Sequence, residues 1–515
     1  MSDRLSLTRE LVEELCARVD GSSLPEVDRT IIKACIRYCF ALGEAYAEKT
    51  HAIQRLLRMI FGAKTEKAEK VIPDFPKKPK GEKSPSKGHG RNGAASYTGG
   101  KKVTVSHGAL ASGDPCPECQ RGKLYPTAPA VTVRIAGNAP LMATSFECEK
   151  LRCNACGEVF TAKLPDTAGE EKYDAAAGAM ITLLKYGMGL PFNRLEALQD
   201  ALGIPLPAST QWDIVEKNAK PAHPAYKELV RQAAQGELIH LDDTTMKILA
   251  SVNEHEGRSG TFTTGMLSLK DERKIALFFT GQKHAGENLA DLLAQRQKGL
   301  APPIQMSDAL SRNLPKDFLT LLANCLSHGR RNFVDVAMSF PDACGHVIEL
   351  LAKVYKNNAN AKEKKMSREE RLTYHQTQSG PVMEELHAWM QAQFDEKKVE
   401  PNSGLGKAFT YMLKHWEPLT LFLRVPGAPL DNNIVEQSLK MVIRHRRNSL
   451  FYRTLHGAYI GDLFMSLIHT CRLSKANPLH YLMALQQHSH EVFKNPSVWL
   501  PWNYETAVTA GARSP

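Results

Sequence analysis

The residues Asp431-Asn432-Asn433-Ile434-Val435-Glu436, followed by Lys440, Arg444, Arg446 and Arg447 and then Asn448-Ser449-Leu450-Phe451, set one carboxylate at the start of a predicted helix whose later turns are basic. Helical periodicity puts Glu436, Lys440 and Arg447 near one side and Val435, Leu439 and Val442 on another, so the apolar stripe can dock while the charged side faces a cleft. No Asp or Glu occurs between Gln437 and Gly461, where five Lys or Arg residues lie, at 440, 444, 446, 447 and 453. That pattern suits a carboxylate that holds a metal ion beside a polyanion, and a phosphate backbone is the natural partner for the basic run. A structural reading competes with it: Asn433 and Glu436 also fit an Asn-x-x-Glu capping box, with the basic side chains simply solvated.

A second set of residues has metal-ligand spacing. Cys116-Pro117-Glu118-Cys119 and Cys153-Asn154-Ala155-Cys156 each present two thiolates from a tight turn, and two such knuckles complete the tetrahedral sulfur shell that Zn2+ prefers. The 33 intervening residues include the strand-like Val131-Thr132-Val133-Arg134-Ile135, so the expected form is a zinc ribbon, with Cys148 as a poorer substitute ligand. A closed four-thiolate site serves scaffolding or DNA contact, not catalysis. Eleven cysteines in a chain of 515 residues with no opening signal peptide do not suggest a disulfide framework.

Further carboxylates fall where strands end. Glu237 to Leu241 predicts a short apolar strand delivering Asp242 and Asp243, and Thr261–Leu269 with Lys274–Thr280 predicts a hairpin around Lys270-Asp271-Glu272. A helix from about Glu287 to Gln295 and a short strand, Pro303 to Met306, lead to Ser307-Asp308. The order strand, strand, strand, helix, strand, helix is that of a ribonuclease-H-like fold, in which an acid ending the first strand and one after the fourth meet on one edge.

Together, His240-Leu241-Asp242-Asp243-Thr244, Cys325-Leu326-Ser327-His328-Gly329-Arg330-Arg331-Asn332-Phe333 and the Asp431 to Phe451 segment resemble transposases of the bacterial insertion sequence 66 family. Leu56-Leu57-Arg58-Met59-Ile60-Phe61-Gly62, Gly88-His89-Gly90-Arg91 and Trp499-Leu500-Pro501-Trp502-Asn503 extend the resemblance towards both ends of the chain. It implies a DDE transposase with Asp242, Asp308 and Glu436 as the three carboxylates, separated by 66 and 128 residues. The second gap exceeds a minimal core, so a helical insertion is expected at about residues 340 to 415. Two Mg2+ (or Mn2+) ions about 3.5 to 4 Å apart would neutralise the phosphate, activate water and stabilise the leaving 3′ oxygen, and hard carboxylate oxygens suit them. Lys440, Arg444, Arg446, Arg447, Arg330 and Arg331 are the expected DNA contacts. Cys325 and His328 resemble a Cys-x-x-His signature of several DDE families; half a metal site is one reading, and packing or local hydrogen bonding is the expectation because no second pair has matching spacing.

Departures from the family pattern are confined to neighbours of the acids. Ala309-Leu310-Ser311 follow Asp308 where an aromatic is usual, Asp243 stands in place of Glu, and Gln437 in place of Arg. The resemblance also implies double-stranded DNA partners (terminal inverted repeats and target DNA), self-association, and small accessory proteins of the same element. The alternative is a catalytically silent zinc-ribbon DNA-binding regulator derived from such a transposase; a structure-selective nuclease is a third option.

These sites need a multidomain α+β chain to position them. Residues 1–63 are expected to be helical, with Cys39, Leu42, Tyr46, Ile53, Leu56 and Ile60 at coiled-coil spacing or on an ordinary amphipathic hairpin. Residues 64–110 form a basic, Pro/Gly/Ser-rich linker, with ten Lys and one Arg against four acidic residues between 64 and 102. The zinc ribbon occupies 111–165. A helical, helix-turn-helix-like region spans 166–232, with helices Tyr173–Met188 and Arg194–Leu202, a Gly203-Ile204-Pro205-Leu206-Pro207 break and Ser209 as the N-cap of the next helix. The catalytic domain covers 233–475 and a C-terminal tail 476–515. A net charge of +11 favours nucleic acid as a partner, and without any apolar run near twenty residues the protein is expected in the cytoplasm, at the nucleoid when bound to DNA.

Overall fold

A computed structural model describes residues 9–40, 104, 109–128, 140–152, 159–250 and 260–511. The chain divides into two units, one of Met1–Pro76 with Phe146–Pro515 and the other of Lys77–Ser145. Among the described residues no helix is long and apolar enough to cross a membrane.

In the smaller unit the first cysteine knuckle is a tight turn. Pro115 bridges Lys123, the Cys116 N–H donates to the Gly122 carbonyl (2.8 Å), and Gln120 takes a φ of 54° where the chain reverses. The Val131–Ile135 strand and the second knuckle, Cys153 and Cys156, lie outside the described residues, as do the linker and most of the coiled-coil positions.

In the larger unit, α1 (Arg9–Asp20) buries Val12 and Cys16, and a second helix, α2, covers residues 26–40. The short antiparallel pair β1 (Lys150–Arg152) and β2 (Val159–Thr161) flanks the segment that carries Cys153 and Cys156. Three helices follow: α3 (Ala175–Thr182), continuing into one π-helical turn at Leu183–Gly187, α4 (Phe192–Ala201) and α5 (Ala208–Ala233). The turn between α4 and α5 uses Gly203 at φ 72°. Here the structure corrects the sequence reading, because α5 begins at Ala208 with Pro207 in the cap position and Ser209 already inside. Proline fits there, since its fixed φ and missing N–H cost nothing before a helix.

The central sheet has the order β5-β4-β3-β6-β7. Its strands are β3 (Leu238–Thr245), β4 (Phe262–Lys270), β5 (Arg273–Gly281), β6 (Ile304–Ser307) and β7 (Leu321–Asn324). β3, β4 and β5 form an antiparallel meander whose tight turn uses Asp271 at φ 52°. β6 runs parallel to β3, and β7 parallel to β6. Central strands covered on both faces need continuous apolar runs, and Ile239, Leu241, Met266, Leu267, Ala276, Leu277 and Met306 supply them. Two details differ from the sequence reading: β3 runs on through Asp242 and Asp243, and β7 adds a strand before the next helix.

Helix α6 (Ala285–Leu293) connects β5 to β6, and α7 (Leu326–Val336) follows β7. Residues 341–414 are almost wholly helical: α8 (Pro341–Glu363), α9 (Arg368–Gln378), α10 (Gly380–Asp395) and α11 (Gly404–Lys414). They build one continuous core with β6 and α7, from Ile304, Met306 and Phe333 through Val347 and Leu351 to Met390 and Phe409. Then come α12 (Asn433–Ser449), α13 (Leu455–Leu473) and α14 (Pro478–Gln487).

Edge strand β5 is closed by side chains. Its outward N–H groups at Ala276, Phe278 and Thr280 donate to Thr470 Oγ1 (3.1 Å), Ser466 Oγ (3.0 Å) and Asp462 Oδ2 (2.6 Å) on α13. Four helical residues rise about 6 Å and two strand residues advance about 6.7 Å, so polar residues at every fourth position match alternate N–H groups. This ladder removes a sheet edge that would otherwise pair with another chain.

Candidate active site

Register decides where the first two carboxylates meet. β3 and β6 pair in parallel with Leu238 opposite Ile304 and His240 opposite Met306. Carrying that offset two residues further sets Asp308, just past the end of β6, beside Asp242. Asp243 points to the other face of β3, as strand alternation requires. There it accepts from Thr264 Oγ1 (2.6 Å) and the Ala285 N–H (3.1 Å), so it fastens the start of α6.

The third carboxylate arrives on α12, which lies across β3 and β4. Val435, Leu439 and Val442 are buried, as the apolar stripe predicts. Gly265 on β4 permits the approach: a Cβ there would stand 2.7 Å from Leu439 Cδ2. The capping box is not formed, because the cap position belongs to Asn432 and Asn433 is already helical.

Asn432 is the residue that the sequence reading passed over. It is fully buried; its side chain donates to the Leu241 carbonyl (2.9 Å) and meets His240 Nδ1 (2.9 Å), while its own N–H donates to Cys325 Sγ (3.3 Å). One residue thus ties the start of α12 to β3 through its side-chain amide and to the start of α7 through its backbone N–H. The only signal in sequence was its place between Asp431 and the apolar stripe. At its far end α12 is held by His445, which stacks between Tyr186 (5.9 Å between centroids) and Tyr452 (5.0 Å).

The electrostatics report a cluster of acids. Asp242 is pushed up to about 7, first by burial and then by the charges of Asp308, Glu436 and Asp243, against the N–H of Asp243. Asp308 is also raised by burial, with His328, Arg312 and Asn313 pulling the other way. Glu436 Oε1 is buried with no hydrogen-bond partner among the described residues. Like charges gathered in a low dielectric without counter-charge are costly. A divalent cation bound there would supply the missing charge.

Cys325 and His328 belong to the same locality. Cys325 starts α7, buried, its thiol pushed up by burial against the N–H groups of Asn432, His328 and Ser327. Ligand atoms of Cys325, His328 and Glu436 lie within 4.8 Å of one another. The sequence reading sought a second pair by spacing and missed this partner, which α12 delivers from 108 residues beyond His328.

The basic residues separate into two kinds. Lys440, Arg444 and Arg447 are exposed along α12. Arg446 is half-buried and commits a guanidinium nitrogen to Thr244 Oγ1 (2.9 Å), Thr245 Oγ1 (2.8 Å) and the Thr245 carbonyl, which fastens α12 to the end of β3. Arg330 and Arg331 are half-buried on α7. Cys116 lies in the smaller unit, where the thiol of Cys119 is lowered by the N–H groups of Arg121 and Gly122.

The fold thus gathers buried acids at the end of a mixed sheet with a helical core beside it, an arrangement consistent with a DNA-processing enzyme. The model of the family described as "Transposase IS66 family" matches residues 172–460, more than half of the chain and the whole of this site, and the chain belongs to that family. Three proteins of Sinorhizobium fredii (strain NBRC 101917 / NGR234) are similar to it. Uncharacterized protein y4hP is 27% identical over 392 residues, 70% of this chain and 68% of its own. Uncharacterized protein y4jD is 34% identical over 190 residues, 36% of each chain. Uncharacterized protein y4qI is 23% identical over 351 residues, 64% of this chain and 62% of its own.

Proposed function

We propose that this protein is a DDE transposase with a ribonuclease-H-like core, which binds the terminal inverted repeats of its insertion sequence and catalyses metal-dependent cleavage and strand transfer. The observation that carries the reading is the parallel register of β3 and β6: its offset of 66 residues equals the separation of Asp242 and Asp308, so two acids remote in sequence stand side by side facing Glu436.

In this reading Asp242, Asp308 and Glu436 hold Mg2+ or Mn2+. When bound, the ions supply charge neutralisation at the phosphate, an activated water and stabilisation of the departing 3′ oxygen. The protein supplies position. Asn432 and Arg446 fix α12 against β3, which holds the helix that carries Glu436 beside the strand that carries Asp242. Lys440, Arg444 and Arg447 hold the phosphates that flank the scissile one. The freed 3′ hydroxyl then attacks target DNA, without a covalent enzyme intermediate. The cysteine knuckles, closed by Zn2+, and the α4–α5 pair contact the terminal repeats. Joining two ends calls for at least two protomers, and accessory proteins of the same element complete the assembly in the cytoplasm.

The test is cleavage and joining of DNA carrying the gene's own flanking ends with Mg2+ or Mn2+, comparing the wild type with Asp308→Asn. Products from the wild type alone support the three-carboxylate assignment. Equal activity in the variant removes Asp308 from it. Specific binding to the ends without products, with accessory proteins added, favours a silent regulator instead.

A further inference from the structure

We infer that Cys325, His328 and Glu436 form a soft-donor metal centre that takes a borderline transition ion, of the Zn2+ class, where three hard carboxylates alone would take Mg2+. The inference shares Glu436 with the function proposed above and otherwise stands on its own observations.

The first is geometric. One ligand atom from each residue lies within 4.8 Å of the other two; tetrahedral bonds of about 2.0 to 2.3 Å set donors about 3.3 to 3.8 Å apart, so a small side-chain adjustment closes the three on one ion. The second is an absence of other partners. Both His328 Nδ1 and Glu436 Oε1 are buried without a hydrogen bond among the described residues. Buried polar atoms are ordinarily paired, because leaving one unpaired costs about 1 to 3 kcal/mol. One cation between them satisfies both orphans and the neighbouring thiol together.

The third observation is rigidity. Cys325 is the residue that starts α7, and its Sγ accepts from the Asn432 N–H (3.3 Å), which fixes where the sulfur stands. His328 follows on the first turn of the same helix, and Asn432 bonds both Cys325 and β3, which sets the start of α12 against α7. The three donors therefore stand on two helix starts joined through the backbone N–H of one buried residue, Asn432. The donor set S, N, O matches Zn2+, or Co2+ as its spectroscopic substitute, and is a poor fit to Mg2+.

The test uses the full-length protein, stripped of metal and titrated with Co2+ alone, without DNA. Wild type is compared with Cys325→Ser, which keeps a hydrogen-bond acceptor for Asn432, and with His328→Gln, each checked for native circular dichroism. The four knuckle cysteines bind Co2+ in all three proteins and cancel in the difference. The expected result is that both variants lose one equivalent of Co2+ per chain, and that the wild type minus Cys325→Ser spectrum contains a thiolate-to-cobalt charge-transfer band. Equal binding and spectra in all three overturn the centre. Loss in His328→Gln without loss in Cys325→Ser also overturns it, because the thiolate is then no ligand. Should Cys325→Ser fail to fold, His328→Gln decides alone: a lost equivalent supports the centre and an unchanged one refutes it. Failure here leaves the three-carboxylate reading intact, whereas absence of strand cutting by the wild type, or equal cutting by Asp308→Asn, with an intact cobalt difference would count against that reading and spare the centre.

Discussion

Lowering the pH should weaken divalent-cation binding at the acid cluster by an amount that Asp242 sets. Its carboxyl is pushed up to about 7, so in the metal-free protein it carries a proton that an incoming cation must displace. The sign follows directly: affinity rises with pH until about 7 and then levels. A carboxyl titrating there is ionised in about 3% of molecules at about pH 5.5 and in about 90% at about pH 8, so affinity should change by about 30-fold, or about 2 kcal/mol. Asp308, raised in the same direction, can only steepen the slope. Stability of the metal-free protein runs the other way. The folded state holds the Asp242 proton more tightly than the unfolded chain, so stability is fully present below about pH 4 and declines as pH rises towards 7, by at most about 4 kcal/mol. Mn2+ titration by calorimetry at several pH values, in wild type and Asp242→Asn, reads the effect. Asp462 is also pushed to about 7, but it is present in both proteins and cancels in the comparison. A wild-type affinity that ignores pH, or a slope retained in full by Asp242→Asn, would refute the placement of Asp242 in a shared cation site.

Other outcomes follow from the elements around that site. Asn432→Ala leaves His240 Nδ1 and the Leu241 carbonyl unpaired and should cost about 1 to 3 kcal/mol in urea denaturation; strand cutting should fall further than the lost stability explains, and cutting at the wild-type rate would argue against its positioning role. Gly265→Val drives a side chain into Leu439, so α12 must shift, with about 1 to 3 kcal/mol lost and cleavage impaired; unaltered denaturation would show that the helix is not held at that distance. Asp462→Ala opens the protected edge at Thr280 and should lower stability by a similar amount, an expectation abandoned if the midpoint stays put. Lys440→Gln together with Arg447→Gln should weaken binding of end-bearing DNA and flatten its dependence on log salt by about two contacts, whereas an unchanged slope would place the DNA elsewhere.

What was legible in the sequence was whatever local periodicity encodes. The apolar runs around Ile239, Met266, Leu277 and Met306 mark their strands because a buried strand needs unbroken apolar character. Val435, Leu439 and Val442 mark the docking face of α12 because helical repeats are fixed by backbone geometry. The Cys116–Cys119 spacing marks its tight turn for the same reason, and Glu436 and its basic neighbours lie within one helix where spacing alone relates them. Asp242 and Asp308 could be named only through the order of elements and the family resemblance.

Tertiary structure decided what depends on contact between distant segments. Sequence reads a cap at Ser209 and a capping box at Asn433, but Pro207 and Asn432 take those positions because packing, not propensity, chose where each chain segment enters its helix. The adjacency of Asp308 to Asp242 needs a register, and register is a property of two strands. Asn432 joining β3 to α7, the match of Asp462, Ser466 and Thr470 to alternate N–H groups of β5, and the meeting of Glu436 with Cys325 and His328 each join residues more than a hundred positions apart. No local pattern carries them, because the energy that selects them is released only when the strands and helices close on one another.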